Sequence, residues 1–165
     1  MNKYFTVFFL GLLLTPEILT GADDAPKKSF NENNVDASGL MLKGFDPVSY
    51  FNAPQPQKGS DKFQLNQNGS VFWFSSNENK ELFKKNPALY TPQFGGWCAY
   101  AVADSKSKVD VDPLNFVIQD QKLLLFYKSF WTDTRDKWLH SQDKNSTTYL
   151  QEAQKNWPLI KETAP

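Results

Sequence analysis

Residues 62–76, KFQLNQNGSVFWFSS, leave the backbone little choice. Two apolar arms flank Asn68-Gly69, the dipeptide that most readily takes the positive φ angles of a tight hairpin turn. Successive side chains of a strand point to opposite faces. In the first arm Phe63 and Leu65 share a face; in the second, Phe72 and Phe74 share one and Val71 and Trp73 the other. An arm apolar on both faces needs cover on both, so the second strand is expected to be central. A second hairpin is expected around Asp120-Gln121, where NFVIQDQKLLLFY carries β-branched and aromatic residues on each arm.

Helices are expected between and after the hairpins. Asp46 is suited to cap a short helix with Pro47 at its first position, turning Val48, Tyr50 and Phe51 inward. Ser75 followed by Glu78 has the form of a capping box, with Leu82 and Phe83 facing the core and Pro87 ending the helix. The Ala-rich WCAYAVADS after Gly95-Gly96 is expected as a buried helix. The tail from Trp131 to Trp157 is expected to be helical, with a stripe of Tyr149, Leu150, Ala153 and Trp157 and with Pro158 closing it. The order ββ, α, α, ββ, αα predicts an α+β domain, a small antiparallel sheet from two hairpins packed with short helices and a C-terminal helical segment. The 14 Phe, 6 Tyr and 5 Trp supply a dense core.

The N-terminus has the pattern of an export signal. Lys3 precedes the apolar stretch 4–14, Pro16 breaks it, and Thr20-Gly21-Ala22 offers small residues for cleavage. The stretch is shorter than the roughly 20 apolar residues of a membrane span. This predicts a signal peptide over 1–22, a flexible leader over 23–38, a domain over 39–158 and a tail over 159–165. The product would be secreted or periplasmic and not membrane-spanning after signal removal. Eighteen basic and eighteen acidic side chains give zero net charge, which argues against nucleic acid or an anionic membrane as partner.

Three stretches in order, KGFDPVSYF, GSVFWFSSNENKELFKKNPALYTPQFGGWCAYAV and DPLNFVIQDQKLLLFY, followed by Trp138 and NWP, resemble the exported YHS-domain family over residues 39–158. The resemblance implies a compact α+β domain behind a signal peptide. It also implies a comparison of ligands, since metal-handling relatives carry a Cys after Asp-Pro-Val and two more around the end of the second strand. Soft thiolates at those places suit a soft or borderline ion. The matching positions here are Ser49, Ser75 and Asn79, none of them a thiolate. The resemblance therefore carries over the fold and not the metal cage.

Cys98 is the chain's only cysteine and so cannot pair within it. Three uses stay open. Among Trp97, Ala99, Tyr100 and Ala101 it suits a buried apolar plug. Gly95-Gly96 and a helix start suit a reactive thiolate serving an oxidoreductase. As an ion ligand it would need His140, the only imidazole, or a carboxylate such as Asp46, with copper or zinc as the ion. A His140 in RDKWLHSQDK also fits an ordinary surface position. Asp110, Asp112 and Asp120 lack the glycine and closing Glu of a calcium loop and are expected as turn residues. Asn68-Gly-Ser and Asn145-Ser-Thr have sequon form, although a hairpin and a helix end explain both Asn residues. The aromatics of the resemblance segments suit either core packing or a shallow pocket for a small ligand. The leading expectation is a non-catalytic module binding a small ligand or metal through Asp46, Tyr50, Trp97, Cys98 and Tyr100. A structural domain engaging an envelope protein is the other non-enzymatic expectation.

Overall fold

The computed structural model describes residues 32–165; the expected signal peptide and the first part of the leader lie outside the described residues. The elements in chain order are α1 (Ser49–Asn52), β1 (Ser60–Gln67), β2 (Ser70–Phe74), α2 (Asn77–Lys85), α3 (Pro87–Tyr90), α4 (Ala99–Asp104), β3 (Asp112–Gln119), β4 (Lys122–Phe126), α5 (Thr134–His140) and α6 (Ser146–Ile160). The chain is α+β, as expected.

Both hairpins form where the sequence places them. Asn68 and Gly69 have φ of 50° and 79°, and Asp120 and Gln121 have 50° and 58°, the pair of left-handed residues that a tight hairpin needs. The hairpins make two separate two-stranded antiparallel sheets, β1-β2 and β3-β4. The second strand of each is flanked on its outer edge by a passing segment. The Met41 N–H donates to the Val71 carbonyl at 2.9 Å, and the Val71 N–H to the Gly39 carbonyl at 2.8 Å. On β4, Leu125 forms a parallel bridge with Cys98, and the Gln93 N–H donates to the Leu123 carbonyl at 2.9 Å.

The core has two clusters with β4 as the wall between them. Leu123 and Leu125 belong to the first, with Met41, Val48, Tyr50, Phe72, Phe74, Phe83 and Cys98. Leu124 and Phe126 belong to the second, with Trp97, Val102, Trp138, Tyr149, Leu150 and Ala153. Alternation along one strand thus serves two interiors.

Several local expectations are corrected. The cap of α2 is Ser76, whose hydroxyl oxygen accepts the Asn79 N–H at 3.1 Å; Ser75 is taken by a long-range partner instead. Leu82 is exposed because Phe83 alone turns α2 into the pocket of Phe72 and Phe74. The expected tail helix over 131–157 is two helices, because Asp133 caps α5 and Asn145 caps α6, each side chain accepting backbone N–H groups. Pro158 does not close α6, which runs to Ile160. Only two residues of the helix follow it, so the lost hydrogen bond and the ring's clash with the Gln154 carbonyl disturb the last turn alone. Residues 32–38, expected within a flexible leader, are tied to the domain. The Asn34 N–H donates to the Gly95 carbonyl at 2.7 Å, Val35 bridges Met41, and the Asp36 carboxylate accepts the N–H groups of Ser38 and Leu40. The Asp36 carboxylate serves the turn while the two residues after it stay exposed.

Candidate functional site: a buried carboxylate, a buried thiol and a hollow

Asp46 is fully buried. Its Oδ1 accepts the Val48 N–H at 2.9 Å. Its Oδ2 accepts the Ser75 N–H at 2.9 Å, the Ser75 hydroxyl at 2.6 Å and the Asn79 side-chain amide at 2.6 Å. The Ser49 hydroxyl donates to the Asp46 main-chain carbonyl at 2.7 Å and accepts the Gln57 N–H at 2.9 Å. Ser49, Ser75 and Asn79, drawn from α1, the end of β2 and α2, thus converge on one residue. The Val48, Ser75 and Asn79 donors point at the carboxylate and occupy lone pairs that a cation would need, while the Ser49 hydroxyl holds the main-chain carbonyl of the same residue. Neutral hydroxyls and an amide around a saturated carboxylate do not fit a soft ion.

Cys98 is fully buried at the start of α4. Its sulfur accepts the Tyr127 N–H at 3.4 Å and lies 3.3 Å from the Thr134 hydroxyl. Gly95 and Gly96 have φ of 59° and 80°. A Cβ on Gly95 would lie 2.6 Å from the Glu32 carbonyl oxygen, so this glycine serves close backbone packing. The Gly96 and Trp97 N–H groups are spent on the Gln93 and Phe94 carbonyls. With the sulfur enclosed, a thiol-specific reagent is expected to label nothing in native protein and one thiol per chain in denaturant; stoichiometric native labelling within minutes would restore the reactive-thiolate reading.

Of the other candidate residues, Tyr50 shares a core cluster with Cys98, while Trp97 lies in the second cluster and His140 on the surface. His140 is exposed on α5 and paired with Asp136 at 2.8 Å, away from the enclosed sulfur of Cys98. Tyr100 and His140 share a surface hollow of about 290 Å³ with Asp143 and Lys144. Burial, then the nearby Asp104 and Tyr149, push the Tyr100 phenol up to about 12. Tyr50 donates to the Pro113 carbonyl at 3.0 Å and meets Phe116 edge to face. Burial, then the charges of Asp112 and Asp46, push its phenol up. Trp97 belongs to the second core cluster, and its indole N–H donates to the Glu32 carbonyl at 2.9 Å. Among the described residues no group of three or more His, Cys, Asp or Glu is placed to hold a metal ion. No described helix is long and apolar enough to cross a membrane.

Sequence reasoning missed a second concavity. A hollow of about 200 Å³ is lined by Met41, Leu42, Val111 and Leu125, with Lys43 and Asp110 among its polar residues. Two left-handed turns border it. Leu42, Lys43 and Gly44 have φ of 59°, 50° and 79°, and Phe94 has 54° ahead of Gly95 and Gly96. Non-glycine residues held there are strained, and such strain gathers at functional sites. The Lys43 ammonium donates to the Asp110 carboxylate at 2.8 Å and to the Val111 carbonyl at 2.7 Å. The Asn34 amide donates to the same carboxylate at 3.0 Å. Burial works to raise the Asp110 carboxyl, but Lys43, Asn34 and the Val111 N–H outweigh it and hold it below the usual aspartate range. The sequence signals for this site are Gly44 and Gly96, which permit a positive φ at its two turns.

The fold and these sites define an α+β domain with a carboxylate-centred polar knot, an enclosed thiol and a small apolar hollow. No known family profile, no curated protein and no solved structure matches the chain.

Proposed function

We propose that this chain is an exported, YHS-like, non-catalytic binding module of the cell envelope, secreted or periplasmic, that takes a small ligand in the hollow beside Lys43. The carrying observation is the combination of an apolar floor with a charged rim between two strained turns. A dry cavity of about 150 Å³ holds benzene, so about 200 Å³ suits a small ring or short acyl group. Lys43 and Asp110 would meet its polar end.

The enclosed Cys98 and the saturated Asp46 carboxylate favour this reading over a thiol enzyme or an ion carrier. Ser49, Ser75 and Asn79 support the family resemblance by meeting around Asp46, where thiolates at the same three positions would converge.

The experiment is a fragment screen by amide NMR with small aromatic and short-chain carboxylates. The expected result is shifts at Met41, Val111 and Leu125, abolished by Val111→Phe, which fills the hollow. Fragments that shift none of these amides, or shift them equally in Val111→Phe, would overturn the ligand site.

A further inference from the structure

Phe130 and Trp131 are 88% and 89% exposed, in a chain that buries Trp138, Phe74, Phe83 and Phe126 completely. They sit side by side in the loop between β4 and α5, their rings edge to face with centroids 4.7 Å apart. Two adjacent large apolar groups left in water need a reason, because each loses the stabilisation that burial gives its relatives in the core.

The loop is built to present them. Lys128 and Asp133 pair across its base. The Ser129 N–H donates to the Thr132 carbonyl at 2.8 Å, and the Thr132 N–H to the Ser129 hydroxyl at 3.2 Å. Phe130 and Trp131 are therefore the two apex residues of a tight turn. Below the base, the Tyr127 carbonyl accepts the Thr134 N–H at 3.1 Å, the Thr134 hydroxyl at 2.9 Å and the Asn115 amide at 3.2 Å. Asn115 also donates to the Asp133 carboxylate at 2.9 Å. The turn is thus tied to β3 behind it and to α5 beside it.

Shape and charge choose the partner. A stable protein interface covers roughly 800 Å² on each side with an apolar centre and a matched rim. Two rings offer about 300–500 Å², and the residues on either side, Lys128, Ser129, Thr132 and Asp133, are polar. A bilayer's interfacial zone accepts such a wedge without matched shape. Tryptophan suits that zone, since its ring enters the apolar layer while its N–H stays in the wet one. The N–H groups of Ser129, Thr132 and Thr134 are already satisfied within the protein, which lowers the cost of leaving water. The flanking charges cancel: Lys128 stands 3.6 Å from Asp133, and Arg135 and Asp136 are neighbours. The attraction is apolar and not electrostatic, in keeping with zero net charge.

We propose that Phe130 and Trp131 form an apolar wedge that enters the headgroup–acyl boundary of a lipid bilayer and holds the domain reversibly at its surface. This rests on the export reading for where the protein would meet lipid, and is independent of the hollow beside Lys43. Two rings give weak attachment, at or below the roughly 10⁴ M⁻¹ of a single myristoyl chain.

The test is co-sedimentation of the purified protein with phosphatidylcholine vesicles, repeated with Phe130→Ser/Trp131→Ser. The expected partition of the double variant is at least about tenfold lower, with its urea midpoint unchanged because both side chains are exposed. Binding of the native protein is expected to stay within about twofold between low and high salt, since screening acts on charge and not on apolar contact. Lipid binding that survives in the double variant, binding only to anionic vesicles and lost in salt, or no binding at millimolar lipid would each overturn the wedge. Capture of a protein partner that needs both rings, with no vesicle binding, would assign the turn to that partner. None of these outcomes bears on fragment binding at Val111.

Discussion

Asp46→Ala is expected to lower the unfolding free energy by about 4 kcal/mol, because four hydrogen-bond donors lose their acceptor in one step. These are the Val48 and Ser75 N–H groups, the Ser75 hydroxyl and the Asn79 amide. A buried donor left unmade costs about 1–3 kcal/mol; the Val48 bond is buried and the other three are half-buried, so water reaching Ser75 and Asn79 recovers part of the sum. Asp46→Asn can turn its amide oxygen to the three donors on the Oδ2 side and set its NH₂ against the Val48 N–H alone, so it is expected to cost less, about 1–3 kcal/mol. Urea unfolding followed by tryptophan fluorescence should show the midpoint fall with the slope unchanged. Ser76→Ala, which removes only the cap of α2, gives the scale at about 1 kcal/mol. An Asp46→Ala loss no larger than the Ser76→Ala loss would mean that the knot contributes nothing beyond a turn.

Trp138→Ala is the second large effect, also about 4 kcal/mol. The side chain is fully buried, stacks on Tyr149 at 5.5 Å and meets the edge of Phe126 at 5.3 Å. Its indole N–H donates to Gln119 Oε1 at 3.0 Å. α5 has seven residues and buries only Thr134 and Trp138, so truncation removes the main anchor of a helix too short to persist alone. Trp138→Phe keeps a ring and loses the Gln119 bond, with about 1–2 kcal/mol expected. Guanidinium unfolding followed by far-UV circular dichroism measures both, and equal losses for Phe and Ala would show that packing volume is not what the site requires.

How far the sequence could be read depended on the reach of each interaction. Asn68-Gly69 announces its turn locally, and the apolar alternation around Asp120-Gln121 announces the second. The Ala-rich run after Cys98 correctly reads as a buried helix. Ser75 and Ser76 offer nearly the same capping signal, and the choice between them is made by Asp46, twenty-nine positions away. Only the family resemblance put Ser49, Ser75 and Asn79 together, and nothing in their local patterns names the carboxylate between them. Residues 32–38 have the composition of a leader, yet the Asn34 and Asp36 side chains use that polarity to fasten the chain to Gly96, Asp110 and Leu40. Trp131 reads as the start of a helical tail, whose pattern is carried by the stripe at Tyr149, Leu150, Ala153 and Trp157. Its exposure follows from the Lys128–Asp133 closure, which composition does not reveal. The hollow was marked only by the glycines of its two turns, because left-handed Leu42 and Lys43 carry no propensity signal of their own.

The two aromatic interiors share a strand of five residues, Lys122–Phe126, and the segment 97–103 beside it also gives side chains to both. Neither half of the molecule owns its own lining. Loosening the carboxylate side strips Leu123 and Leu125 from their neighbours, and the same backbone shift withdraws Leu124 and Phe126 from the tryptophan side. The two halves are therefore expected to unfold as one cooperative unit.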